Sequence, residues 1–398
     1  MKMQIFILGQ SSDLAKQELI TIIQGQGGKI SHIGSNFIIG QSPRHAEELQ
    51  AMLGGTIKIG NYLGDLRQLE DLTAQTWTEY LRPFLHENKK NNFGFSLYNA
   101  PRSAYQTAQR LALATKKILI AEKYKARLVS SRAPELSSVI VSKNDLLQKE
   151  LLIIKQDQRW LLGLTQTVQD FGKYGERDMG RPARDDRSGM LPPKVAQMMI
   201  NLAGPNREKN ILDPFCGSGT ILQEAMLLGY AQIRGTDLSQ RAVSDCRQNL
   251  EWLQQQFRLE TDYSVEPVDA RDLNQKIAAA SLDLIVSEPF MGDARQLHRQ
   301  DNIHQLMTVK KELENLYYKT FVQFHTILKN DGRIIFVFPI FNVGGQKIST
   351  LAKENLEKIG FKMILPNIKS AGLSAAGNII YSREHQLVQR EITLWQKK

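Results

Sequence analysis

The chain has 398 residues, 42% of them hydrophobic and 23% charged, with 51 Lys/Arg against 41 Asp/Glu and a net charge of +10. That length allows two or three domains with sizeable cores, and no apolar run approaches the ~20 residues that span a membrane. The two cysteines, Cys216 and Cys246, make no disulfide framework, no Cys/His cluster has metal-ligand spacing, and the apolar start at Met3–Leu8 is too short for a secretory signal; a metal-free protein of the reducing cytoplasm is expected.

The first 75 residues read as a small α+β domain. Apolar strands are expected at Met3–Leu8, Ser35–Gly40 and Thr56–Ile59, with an amphipathic helix over Leu14–Ile23 that stops at the Gly25–Gly28 turn. A second unit follows over residues 76–165. Asn92–Tyr98 alternates like a strand, and Ser103–Ile120 places Leu111, Ala114 and Ile118 on one helical face. Ser138–Ser142 reads as a further strand, and Glu150–Ile154 with Arg159–Leu164 as a hairpin.

Positive charge concentrates here. Between Arg82 and Arg132 there are eleven Lys/Arg and two Glu, including Lys116, Lys117, Lys123, Lys125, Arg127 and Arg132. A solvated helical face and a phosphate-binding surface explain this equally well on charge alone. Residues 166–188 are polar and charge-dense without periodicity, the pattern of a linker rather than a core element. From residue 189 onward, helices alternate with short apolar strands at Ile211–Leu212, Gln232–Thr236, Leu282–Val286 and Arg333–Phe338. That alternation implies an α/β domain with a parallel, doubly wound, Rossmann-like sheet over 189–398.

The first of these strands runs into Asp213-Pro-Phe215-Cys-Gly217-Ser-Gly219-Thr220 and then a helix. Such a turn brings backbone close to a ligand at the carboxyl end of the sheet. It lacks the third glycine of a dinucleotide fingerprint and the Lys-Ser/Thr of a P-loop, which suits a cofactor with adenosine but no phosphate. Asp237 ends the second strand, placed to accept from both ribose hydroxyls, with Leu238 beside it. Asp269, followed by Ala270 and Arg271, ends the third and can accept from an adenine amine. Each Asp alone is as readily a cap or turn residue; the ordered set carries the reading.

The fourth strand ends in Ser287-Glu288-Pro289-Phe290. This looks like the (Asp/Asn/Ser)-x-Pro-(Tyr/Phe/Trp) turn of methyltransferases acting on exocyclic amines of bases. Such an amine is a poor nucleophile because its lone pair is delocalised. Acceptors at Ser287 and at the carbonyl between Glu288 and Pro289 could pyramidalise it, and Phe290 could stack on an extruded base.

A wider resemblance follows from Arg177-Asp178, Arg181-Pro182, Gly189 to Ala196, Asn201-Leu-Ala and Asp213 to Thr220. Together these resemble the THUMP-domain tRNA guanine-N2-methyltransferases of archaeal and eukaryotic type that act at position ten. Ser138-Val-Ile-Val and Gly163–Val168 look like the THUMP module, and the first domain like the ferredoxin-like domain preceding it. The resemblance implies a class I methyltransferase domain, S-adenosylmethionine as cofactor and tRNA as substrate. RNA contacts are then expected over the basic stretch with Arg181 and Arg184 of the linker, and a path over Arg181, Arg184 and Arg187 is the alternative. In some relatives it implies a small activator protein as partner. The family turn is usually Asp-Pro-Pro-Tyr. Ser287 is a weaker acceptor than Asp and cannot hold both guanine donors, so Glu288 either takes over that role or points away. Two other readings stand beside this one: an amino-methyltransferase for another RNA or DNA base, and a non-catalytic RNA-binding relative.

Overall fold

The computed structural model describes residues 2–10, 12–184, 190–292, 303–343, 346–383, 386 and 388–398. It divides into two compact units, Met1–Ser12 with Ile23–Lys173, and Asp13–Ile22 with Tyr174–Lys398.

In chain order the first unit is built from β1 (Met3–Leu8), the ends of α1 (Ser12–Gly25), β2 (Lys29–Ile33), β3 (Phe37–Gln41), α2 (Ala46–Met52), β4 (Thr56–Leu66), α3 (Ala74–Leu81), β5 (Lys90–Tyr98), α4 (Arg102–Ala121), β6 (Lys125–Val129), α5 (Ser138–Lys143), β7 (Glu150–Gln156) and β8 (Arg159–Val168). Eight strands form one sheet in the order β2-β3-β1-β4-β8-β7-β5-β6. The sheet therefore runs without a break across the boundary expected near residue 75, because β4 pairs antiparallel with β8 from Lys58↔Val168 to Leu66↔Trp160. Gly163 permits this pairing: a Cβ there would lie 2.7 Å from the Ile5 side chain. The β-branched run 138–142, expected as a strand, is the helix α5. Ser137 caps it by accepting from the Ile140 N–H, and Val141 alone is buried, one contact per turn rather than one per two residues.

A buried ion pair ties this sheet together. The Lys58 ammonium of β4 donates to Glu150 of β7, to the Ser96 hydroxyl at 3.2 Å and to the Leu136 carbonyl at 2.6 Å, while Thr165 donates to the second Glu150 oxygen at 2.6 Å. Burial pulls the Lys58 ammonium below its ordinary value, and Glu150 opposes that shift. With every acceptor partnered, the pair fixes register more than it adds stability.

The second unit contains α6 (Phe171–Met179, from Tyr174), α7 (Pro193–Asn201), β9 (Asn210–Asp213), α8 (Thr220–Leu227), β10 (Gln232–Asp237), α9 (Gln240–Phe257), β11 (Asp262–Pro267), β12 (Leu282–Ser287), α10 (Ile303–Ile327), β13 (Leu328–Val343), β14 (Gln346–Ser349), α11 (Lys353–Ile359), β15 (Phe361–Ile364), β16 (Ile379–Tyr381) and β17 (Val388–Lys397). Its sheet runs β11-β10-β9-β12-β13-β17-β15. The strands from β11 to β13 are parallel, and β17 inserts antiparallel between β13 and β15. The core beneath is aromatic, with Phe321 of α10 packed edge-on against Phe336, Phe361 and Trp395. Strand order reverses between β9 and β12. At that switch point the connecting helices leave in opposite directions, opening a crevice at the carboxyl ends of the two strands.

Residues 13–22 of α1 belong to this second unit. Glu18 accepts from the Asn201 amide at 2.7 Å, and Asp13 accepts from the Ser370 hydroxyl. The charged segment after residue 170, expected as a solvated linker, is partly core. Arg177 and Arg181 are buried, and α6 spans residues the sequence gives no periodic reason to call a helix.

Candidate active site

The glycine turn is set by backbone geometry. Gly217 has φ +51° and Gly219, which precedes α8, has φ +89°. A Cβ at Gly219 would lie 2.6 Å from the Cys246 sulfur of α9, so no side chain fits there. A Cβ at Gly217 would meet nothing within 4 Å: the backbone faces open space. The turn is held from both sides, with the Cys216 N–H donating to the Thr236 carbonyl at 3.0 Å and the Gly217 N–H to the Asp237 carboxylate at 3.0 Å.

Asp237 thus ends β10 against the turn, its other oxygen accepting from the Ser239 N–H at 2.9 Å. Leu238 beside it is 73% exposed, an apolar side chain with no protein cover. An open glycine backbone, a carboxylate and a bare apolar residue at one strand end fit the hydroxyls and base of an adenosine moiety. Asp269 follows β11, but its carboxylate is engaged by Arg271, whose backbone N–H and guanidinium both donate to it. Hydrogen bonds from Arg271 hold that carboxyl below its ordinary range. An adenine amine at Asp269 competes with a half-exposed guanidinium. Ala270 is buried, and Phe215 is half-buried, edge-on to Phe336.

At the end of β9, Asp213 is buried and accepts from the Phe215 N–H at 3.2 Å and the Ser287 hydroxyl at 2.7 Å. Burial pushes its carboxyl up to about 7; the two hydrogen bonds oppose this, and the Asp237 and Glu288 charges add to it. Ser287 itself is 0% exposed. Its hydroxyl is spent inside the protein as a donor that ties β12 to β9, rather than standing as an acceptor in the crevice. Pro289 is buried. Phe290 is 58% exposed, and its carbonyl accepts from the Tyr317 hydroxyl of α10 at 2.7 Å, so the ring projects from a fixed backbone. The Glu288 side chain, 12% exposed, is ion-paired with Arg390 of β17. Burial raises the Glu288 carboxyl, and Arg390 opposes the shift.

Sequence reasoning missed Arg390 and Tyr317. Neither sits in a local motif, and both reach the turn only through the sheet. It also missed a brace behind the glycine turn. Arg177 donates to Glu224 of α8 at 2.7 Å, and Arg181 donates to the Thr220 hydroxyl at 2.7 Å. Asn249 of α9 exchanges hydrogen bonds with the Ala183 backbone and donates to the Ser218 carbonyl at 2.8 Å. Neither left a local signal: Arg177 lies in α6 and Arg181 beyond its end, in a segment without apolar periodicity. Arg181, expected to touch RNA, is instead buried behind the glycine turn. Arg184 is half-buried, and Arg187 lies outside the described residues.

The other expected RNA contacts lie in the first unit. Lys117 is exposed on α4 and Lys116 half-buried. Lys125 and Arg127 alternate outward along the edge strand β6, and Lys123 and Arg132 flank that strand, exposed.

Residues 181–343 match the family model described as RMKL-like, methyltransferase domain, and residues 86–247 match one described as DNA methylase. The tRNA (guanine(10)-N2)-dimethyltransferase of Methanothermobacter thermautotrophicus is 34% identical over 151 residues, 38% of this chain and 39% of that protein. The enzyme of the same name from Pyrococcus abyssi is 29% identical over 196 residues, covering 49% and 48%. The chain thus spans less than half the length of these curated relatives. Among solved structures, TrmN from Thermus thermophilus superposes with a TM-score of 0.56 at 16% identity, over 100% of both chains. A possible methylase from Clostridium difficile 630 gives 0.52 at 11% identity, over 100% and 97%. The second unit has the class I methyltransferase fold. Among the described residues no helix is long and apolar enough to cross a membrane, and no group of three or more His, Cys, Asp or Glu could hold a metal.

Proposed function

We propose that this protein transfers a methyl group from S-adenosylmethionine to the exocyclic N2 of a guanine in tRNA, at position ten, in the cytoplasm. The observation that carries this is the pairing, across one switch point, of an open glycine turn on β9 with a fixed, outward-facing Phe290 on the turn after β12. The names of the matching relatives supply the choice of base and RNA.

Gly217, Gly219, Asp237 and Leu238 would hold the cofactor, with Asp213, Phe215 and Thr220 behind them. When bound, it supplies a methyl group on a positively charged sulfur, activated for transfer. The chain's contribution is positioning. Phe290 stacks on the base taken out of its helix, and the Glu288 carbonyl before Pro289 accepts from the target amine. Glu288 itself is the carboxylate available to the N1–H and N2–H₂ edge, since Ser287 is committed to Asp213. The first unit, in the role of a THUMP-like module, would bind tRNA phosphates over Lys117, Lys123, Lys125, Arg127 and Arg132.

The test is incubation of the purified chain with bulk unmodified tRNA and labelled S-adenosylmethionine, followed by nucleoside analysis. Mono- or dimethylated N2-guanosine is the expected product. Label in adenosine or cytidine alone would replace the base assignment with another amine. No label in any nucleoside would favour the non-catalytic reading, or a requirement for an activator protein, which titration of candidate partners separates.

A further inference from the structure

The Glu288–Arg390 pair is unlike the other close pairs of the second unit because it sits on the candidate catalytic turn itself. Only one Glu288 oxygen, Oε1, receives the Arg390 Nε–H; among the described residues Oε2 has no hydrogen-bond partner. The side chain is 12% exposed, two residues from the exposed Phe290 ring. Arg390 has little freedom. It lies on β17 between two paired strands, opposite Pro339 of β13 and Tyr381 of β16, with its guanidinium 5.8 Å from the Tyr381 ring centre. A planar guanidinium clamped by a strand can fix which way a carboxylate turns.

We propose that Arg390 is a positioning residue: it holds Glu288 with Oε1 turned inward and leaves Oε2 to accept from the N1–H and N2–H₂ edge of the target guanine. This rests on the methyl-transfer reading above. It also explains how a turn lacking the usual first-position carboxylate can still present one, displaced by a single residue. Ser287, fully buried and donating to Asp213, cannot take that part.

The role has a pH signature. Among the described residues, the titratable and charged groups facing Glu288 are Arg390 from β17, Tyr317 from α10 and Asp213 from β9. Burial raises the Glu288 carboxyl, and of these groups only the Arg390 cation opposes it. Without that cation the carboxyl is raised further, and a carboxyl that carries its proton on Oε2 cannot accept there.

Single-turnover methylation of one defined tRNA is measured from pH 5.5 to 9 for wild type, Arg390→Lys, Arg390→Met and Glu288→Gln. In Arg390→Met the acid limb of the rate should move up by at least about one pH unit, so that transfer on the acid side of the wild-type limb is roughly 10-fold slower, with tRNA and cofactor affinities little changed. Arg390→Lys should recover part of the shift, and Glu288→Gln should lose the limb. A second arm needs no activity: thermal unfolding of Arg390→Met is compared with Arg390→Met/Glu288→Gln over the same pH range. A raised carboxyl stabilises the folded state at low pH and loses that contribution as pH rises, so the single variant should fall relative to the double as pH increases. If the wild type methylates only another base, the guanine assignment fails while the limb still reads Arg390. If it methylates nothing, with or without candidate activator proteins, the enzymatic reading fails and the unfolding arm alone decides whether Arg390 sets the Glu288 charge. An unmoved acid limb in Arg390→Met, or parallel unfolding curves for single and double variants, overturns the proposal.

Discussion

Gly219→Ala is the sharpest test of how the cofactor turn is built. Two separate penalties meet at this position. The backbone sits at φ +89°, where an L side chain is strained by about 1–2 kcal/mol. The added Cβ would also stand 2.6 Å from the Cys246 sulfur, a contact that something must give way to, at about 1–3 kcal/mol for overpacking. The sum is about 2–5 kcal/mol. Cys246→Ala separates the two. It removes the sulfur and leaves the Cys246 Cβ at 3.5 Å, an ordinary contact, while the positive φ is untouched. A double-mutant cycle followed by urea unfolding should therefore show a favourable coupling of about 1–3 kcal/mol between the two sites, with Gly219→Ala still costing about 1–2 kcal/mol in the Cys246→Ala background. Calorimetric titration of S-adenosylmethionine should show a parallel loss of affinity in Gly219→Ala and partial recovery in the double. If Gly219→Ala lies within about 0.5 kcal/mol of wild type, or the two changes add without coupling, the packing argument for this turn is wrong.

Three further outcomes follow from the same geometry. Asp237→Ala should weaken S-adenosylmethionine binding by about 1.5–3 kcal/mol, because charge-assisted bonds to the ribose and the brace on the Gly217 N–H are both lost; equal affinities by calorimetry would remove Asp237 from the site. Lys117→Glu with Arg127→Glu should weaken tRNA binding and flatten its salt dependence without touching cofactor affinity, and an unchanged salt slope in filter binding would move the RNA path elsewhere. Asp213 is raised in the folded state to about 7, so the stability it contributes is complete below the unfolded value of about 4 and is lost as pH climbs to about 7. Asp213→Asn should accordingly gain on wild type over that window, and melting curves that run parallel from pH 4 to 8 would show an ordinary carboxyl.

The parts of the site legible in the sequence are those whose grammar is local. A strand, a glycine turn and a helix occupy consecutive residues from Asn210 to Leu227, so the turn could be read directly, as could the strand ends at Asp237 and Ser287. What escaped is held by partners far along the chain. Glu288 meets Arg390 across 102 residues and Arg177 meets Glu224 across 47, and a charged residue carries no mark of whether it will find a buried counter-ion or water. The run 138–142 misled for a different reason. Its β-branched residues favour extended backbone, but a five-residue preference is weak against a Ser137 cap and a single buried Val141. Pattern alone also could not tell that β4 would pair with β8, because both strands look complete as members of separate sheets.

The placement of α1 bears on how this chain can be divided. The polypeptide enters the second unit at Asp13, leaves at Ile22, and returns only at Tyr174. A fragment beginning after β8 would contain every residue assigned to cofactor and amine, yet it would leave Asn201 and Ser370 without the carboxylates of Glu18 and Asp13. During synthesis, too, residues 13–22 must wait for more than a hundred later ones before the rest of their unit emerges. Separating the second unit by truncation therefore calls for carrying the first helix along, by fusion or as an added peptide, rather than for a single cut.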